Sequence, residues 1–188
     1  MPTKKQPGYV IRDVKAIRLL GSPLRQAMID WIAASGPATV AELSEHLRRP
    51  ADRLYYHVRL LERAGLLVDV GSNGTGSRAE SRFDVPGRPL LLAYEPQNRR
   101  AVKGAVAALL RSARADFDSA VVDRAVRVDG EARELWAGRM EARLTPDDIE
   151  SLNAALGKIH TLMARSRPQS PDAKVYQFTW VLAPVTRD

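Results

Sequence analysis

The feature that most constrains this chain is a run of helix starts and stops packed into residues 21–67. Gly21-Ser22-Pro23 begins it. Ser22 is suited to cap a helix, and Pro23 sits at the first helical position, where its missing N–H costs nothing. That helix is predicted to run to about Ala34, turning Leu24, Met28, Ile29 and Ile32 inward, and Ser35-Gly36 ends it. Thr39 and Glu42 then have the spacing of a reciprocal cap, which predicts a short helix with Val40, Leu43 and Leu47 as its apolar stripe. Arg48-Arg49-Pro50 turns into a further helix from about Ala51 to Ala64. Leu54, Val58 and Leu61 face inward there, and Gly65 supplies the left-handed stop. Upstream, Ile11, Val14, Ile17 and Leu20 have helical spacing and predict a first helix over 11–20.

A hairpin follows. Leu66 to Val70 and Ala79 to Val85 read as strands around the Gly-rich turn GSNGTGS (71–77). Pro86-Gly87-Arg88-Pro89 breaks the pattern and predicts a domain boundary, with residues 1–90 as one unit and 91–188 as the next. Helix, helix, short helix, longer helix and hairpin is the order of a winged helix-turn-helix. In that arrangement the helix over 51–64 is held by its neighbours so that it can enter a major groove about 12 Å wide. The hairpin over 66–85 reaches flanking phosphates or the minor groove.

With its apolar stripe inward, the helix over 51–64 leaves Asp52, Arg53, Tyr55, Tyr56 and Arg59 outside, and His57 near the border. Arg53 would fork onto a guanine edge, and Tyr55 or Tyr56 would meet a thymine methyl or a phosphate. Arg78 and Arg82 on the hairpin suit phosphate binding, where charge and reach suffice, and Arg25 and Arg48 add backbone contacts. His57 reads as a packing or phosphate-contacting residue in preference to a metal ligand or base. Arg88, Arg99 and Arg100 read as surface charge of a linker and a helix start.

The stretch 21–67 resembles the ArsR-like winged helix-turn-helix regulators. The matching pieces are S-P-L-R with Arg25, T-V-A-E-L-S (39–44) and Y-Y-H-V-R-L-L-E-R-A-G-L-L (55–67). The resemblance implies a DNA-binding transcription regulator. It departs from the family in two places. The best-known members sense metals through a cysteine motif in the helix before the recognition helix, and here that helix reads VAELSEHL. The bulkier Tyr55 and Tyr56 also replace the usual serines, so base preference does not carry over. The chain looks like the subgroup with a C-terminal extension after the wing.

That second half begins with a helix predicted from about Gln97 to Val126. Val102, Val106, Leu109, Ala113, Phe117 and Ala120 give it nearly a heptad seam, which would pack on a second copy. Residues 135–144 alternate and read as a strand, although Glu and Ala also suit a helix. Thr145-Pro146-Asp147-Asp148 starts another helix, with Ile149, Leu152, Leu156, Ile159 and Met163 as its stripe. Residues 174–183 read as a strand with Tyr176, Phe178, Trp180 and Leu182 on one face. The expected class is therefore α+β and mainly helical: a winged helix-turn-helix followed by a helix-rich dimerisation region with two strands. Trp136, Tyr176, Phe178 and Trp180 leave two roles open, core or dimer contact and the lining of a small-molecule effector pocket.

The remaining composition narrows the function classes. Without cysteine, no thiolate site or disulfide exists, and His46, His57 and His160 lack ligand spacing, so neither metal nor cofactor is expected. Ser151 and His160 lie nine residues apart on opposite faces of one helix, and GSNGTGS lacks the Lys of a phosphate loop, so catalysis is not expected. The net charge of +7 favours a polyanionic partner, but it divides as +4 over 1–96 and +3 over 97–188 and does not locate the surface. No apolar run nears the roughly 18 residues of a membrane span, and the polar Met1 to Gln6 shows no leader, so a cytoplasmic protein is expected. The expected partners are double-stranded DNA and a second copy. The rival is a winged-helix adaptor that binds protein and reads no DNA.

Overall fold

In the computed structural model, residues 8–73, 80–164 and 173–185 are described. The order is β1 (Tyr9–Ile11), α1 (Val14–Leu19), α2 (Pro23–Ser35), α3 (Val40–Leu47), α4 (Ala51–Arg63), β2 (Val68–Asn73), β3 (Glu80–Asp84), β4 (Leu90–Leu92), a 3-10 turn (Pro96–Asn98), α5 (Arg99–Val122) and α6 (Pro146–Ala164). The class is α+β and mainly helical, as expected.

The helix ends are built by the residues that predicted them. Asp13 caps α1, its carboxylate accepting from the Ala16 amide at 2.7 Å. Gly36 ends α2 at φ 93°, its amide reaching the Ile32 carbonyl. In α3 both halves of the reciprocal cap form: the Thr39 hydroxyl accepts from the Glu42 amide at 3.2 Å, and the Glu42 carboxylate accepts from the Thr39 amide at 2.7 Å. Gly65, at φ 68°, closes α4 with two backbone bonds, Leu66 N–H to Leu61 and Gly65 N–H to Glu62.

Around these ends lies one apolar core. Ile17, Met28, Ile32, Leu43, Leu54, Val58, Leu61, Leu66 and Leu67 are all at most 1% exposed. Each contributes about 1.5–3 kcal/mol by leaving water. Phe83 and Val85 of the wing join them. The wing, β2 antiparallel to β3, is tied back by an isolated bridge in which Ala38 and Phe83 exchange both backbone bonds at 2.9 and 2.8 Å.

Three features depart from the sequence reading. First, the segment predicted to open a helix at residue 11 instead holds β1, which pairs in parallel with β4 in the register Tyr9↔Leu90, Val10↔Leu91 and Ile11↔Leu92. Second, the core continues past the boundary expected at residue 90, because Ala101, Val102 and Ala105 of α5 belong to it. The start of the predicted heptad seam therefore packs on its own chain, and Val102 is not available to a second copy. Third, residues 135–144 and 174–183 form no strand. Their alternation is real, but a strand needs a ladder partner, and a single pair of strands is marginal in water.

The α2–α5 contact brings Asp30 near Asp116. The Asp30 carboxyl is pushed up to about 6, first by loss of water and then by the Asp116 charge. An acid with a raised folded-state pKa favours the fold while protonated, below about pH 4 by its usual value of 3.8, and that contribution is lost as pH rises through about 6. Asp30→Asn should therefore stabilise the protein at pH 7 and give no gain below pH 4. Because Asp30 is exposed to solvent, which screens the effect, the expected gain is at most about 1 kcal/mol. Denaturant titrations at the two pH values check it.

Among the described residues, no helix is long and apolar enough to cross a membrane.

Candidate nucleic-acid interface

The turn between α3 and α4 is fixed locally. Arg48 takes a left-handed conformation at φ 50°, and the Ser44 hydroxyl donates to the Arg49 carbonyl at 2.6 Å. Pro50 precedes α4 without capping it through a side chain, the Arg53 amide bonds back to the Pro50 carbonyl at 3.2 Å, and Arg48, Arg49 and Arg53 are exposed around this helix start.

Burying Leu54, Val58 and Leu61 fixes the rotation of α4. At 100° per residue, Asp52, Tyr56, Arg59 and Arg63 lie opposite that stripe, with Tyr55 and Arg53 to either side. Tyr55 is 52% and Tyr56 65% exposed. Two large rings left this bare side by side on one helix form an exposed apolar patch of the kind that marks a contact surface. Tyr55, Tyr56, Arg59, Leu60 and Arg63 line a shallow groove of about 260 Å³. Arg59 bonds Glu62 at 2.9 Å on the surface. Such an exposed pair is worth about 0–1 kcal/mol, little enough for a phosphate to displace it.

The other expected residues fall in different places. His57 is half-buried beside Tyr56, their ring centroids 5.4 Å apart. Burial and then the nearby Arg25 charge lower its pKa below the usual 6.5, so the imidazole is neutral at pH 7. Arg25 itself donates through Nε to the Leu19 carbonyl at 2.7 Å, bracing the corner between α1 and α2. Arg82 donates to the Pro37 carbonyl and lies 3.7 Å from the Glu42 carboxylate, which staples the wing to the start of α3. Arg78 lies outside the described residues, as does the tip of the Gly-rich turn.

Arg88, read as linker charge, is placed otherwise. Its guanidinium forks onto the Asp84 carboxylate and donates to the Ala33 carbonyl at 2.8 Å and the Ile32 carbonyl at 3.0 Å. It closes the C-terminal end of α2 and locks the wing strand to it. Arg63 was missed as a face residue, although its spacing of four from Arg59 and seven from Tyr56 marks it.

Trp136, Tyr176, Phe178 and Trp180 do not share a buried lining. Trp136 is 74% exposed beneath the Arg133 guanidinium, which lies 4.4 Å from its ring centroid. The other three are between 41% and 48% exposed.

Comparison with known proteins adds one sequence match. Residues 20–70, which span α2, α3, α4 and the start of the wing, match a helix-turn-helix domain. No curated protein matches the chain. A solved structure described as the multiple antibiotic-resistance repressor MarR from Listeria monocytogenes 4b F2365 superposes with a TM-score of 0.30 at 17% identity, over 81% of this chain and 84% of that one.

Proposed function

We propose that this chain is a sequence-specific DNA-binding transcription regulator, acting in the cytoplasm as a homodimer on a pseudo-palindromic operator. In this reading α4 enters the major groove and the wing lies on the flanking backbone or minor groove. The observation that carries it is the outer face of α4, where guanidinium groups and bare tyrosine rings alternate on a helix whose opposite side is fully buried. Arg53 reads a base edge, Tyr55 and Tyr56 contact thymine methyl or phosphate, and Arg48, Arg59 and Arg63 hold phosphates. From its sequence position Arg78 is the wing's phosphate contact. Two such heads would sit on half-sites about 34–36 Å apart.

The ArsR-like resemblance and the helix-turn-helix match over 20–70 agree with this reading. A protein-binding adaptor would gain nothing from cations on both sides of the α3–α4 turn. Duplex affinity should therefore fall steeply with salt. Arg53→Ala should lose about 1–3 kcal/mol and relax preference at one base position, whereas Arg48→Ala should weaken all sequences alike and reduce the salt slope by about 1. Selection from random duplexes followed by salt titration measures each effect. A wild-type protein that binds no duplex, or binds with no salt dependence, sinks the proposal in favour of the adaptor.

A further inference from the structure

Beyond Ala108 not one described residue is buried. The helix α6 buries nothing, although Ile149, Leu152, Leu156, Ile159 and Met163 form a regular stripe. The region is nonetheless organised. The Glu134 carboxylate accepts from Lys174 Nζ at 2.9 Å and from the Tyr176 hydroxyl, and it also takes the Arg127 amide at 2.9 Å. The start of one alternating segment is thus fastened to the start of the other. Trp180 in the second segment lies against His160 of α6, ring centroids 5.8 Å apart.

Within each segment, side chains two residues apart meet: Arg139 with Glu141 at 3.0 Å and Gln177 with Thr179 at 3.2 Å. Contacts at a spacing of two belong to extended chain, because alternate side chains there share a face. Residues 134–144, α6 and 174–183 therefore have the layout of a strand–helix–strand unit, both strands starting at the same end, with its hydrogen-bond ladder unmade. A parallel pair covered on one face by one helix is the kind of sheet least able to stand alone.

We infer that this unit is completed by a second copy of the chain, the segment 135–144 pairing antiparallel with its own counterpart about a two-fold axis at Met140. The inference rests on the proposed dimeric regulator and moves its contact from the α5 seam to this segment. Three observations favour a second copy as the occupant. Met140, at 95%, is the barest large hydrophobic among the described residues, with Trp136 at 74%, whereas Tyr176, Phe178 and Trp180 are 41–48% exposed and Trp180 lies against His160 of α6. An axis at Met140 sets Arg139 opposite the partner's Glu141 and Glu141 opposite the partner's Arg139, so the charges complement themselves. The exposed apolar area of 135–144, α6 and 174–183 is on the order of 1,000 Å² from side chains of this size, against about 800 Å² per partner in a stable interface. Pairing also converts two strands backed by one helix into four backed by two.

The absence of native cysteine makes the test direct. Across an antiparallel pair, facing Cα atoms lie about 4.5–5.5 Å apart, within disulfide reach. The full-length Met140→Cys protein under mild oxidant should become predominantly a covalent dimer, at least 10-fold more than Phe117→Cys on α5. Amide exchange over 135–144 should slow at least 100-fold in the dimer and lose that protection in Met140→Glu, which should sediment as a monomer. That monomer should still bind duplex DNA non-specifically, so a wild type that dimerises but binds no DNA would refute the regulator reading alone. A monomeric wild type would overturn the inference. So would a dimer cross-linked through Phe117→Cys in preference to Met140→Cys, or one with unprotected 135–144.

Discussion

Replacing Arg88 with alanine should lower the melting temperature by about 10 °C or more, the largest stability loss expected from a residue outside the apolar core. Asp84 is 8% exposed, and Arg88 supplies the charge facing its carboxylate. Alanine would leave that carboxylate buried without a counter-charge, take the Arg88 donor from the Ala33 carbonyl and leave the Ile32 carbonyl with the Gly36 amide alone. Breaking a pair this way costs about 3–5 kcal/mol, because the desolvation of the surviving ion is no longer offset. A domain holds only about 5–15 kcal/mol in total, and for a chain of this length each 1 kcal/mol moves the midpoint by about 2–4 °C. Arg88→Lys should recover part of the loss, since it keeps the charge without the planar fork. The double change Arg88→Met with Asp84→Met should lose less than Arg88→Ala, since it leaves no buried charge behind. Thermal melts of the four proteins decide the matter; an Arg88→Ala midpoint within about 2 °C of wild type would show that the fork carries little.

How much of this was legible in the sequence divides by distance along the chain. The ends of α2, α3 and α4 were readable because caps act within three or four residues: Thr39 with Glu42, and Gly65 with the last turn of α4. The outer face of α4 was readable for the same reason, apart from Arg63. The role of Arg88 was not, because its carbonyl partners lie 55 and 56 residues away and no local pattern announces them. The strands β1 and β4 have three residues each, too few to show a period, and exist because they pair with one another. The seam of α5 was visible but not its partner: periodicity says that a face is covered, not which surface covers it. The segments 135–144 and 174–183 make the same point in reverse. Their period of two was visible, while a ladder also depends on a partner edge, which no local pattern names.

The largest binding effect is expected from reversing one charge at the centre of the α4 face. Arg59 has Tyr55 and Tyr56 one turn before it and Arg63 one turn after, and its side chain is 61% exposed. Its bond to Glu62 is a surface pair, so losing it should change stability by less than about 1 kcal/mol, and Arg59→Glu should melt almost as the wild type does. Binding should respond very differently. Arg59→Glu removes a cation that would neutralise a phosphate, about 0.9 from the salt slope. It also adds a carboxylate beside Glu62 and Asp52, all facing a polyanion. The expected result is roughly a 100-fold loss of duplex affinity, about 2.7 kcal/mol. Arg59→Gln should fall between the two, because it withdraws the attraction without adding repulsion. The gap between Arg59→Glu and wild type should narrow as salt shortens the screening length. Binding by Arg59→Glu within about 3-fold of wild type (under 1 kcal/mol), with its fold intact, would remove α4 from the DNA interface. The same titration on a Glu62→Gln protein should show tighter binding, because Arg59 would no longer be shared.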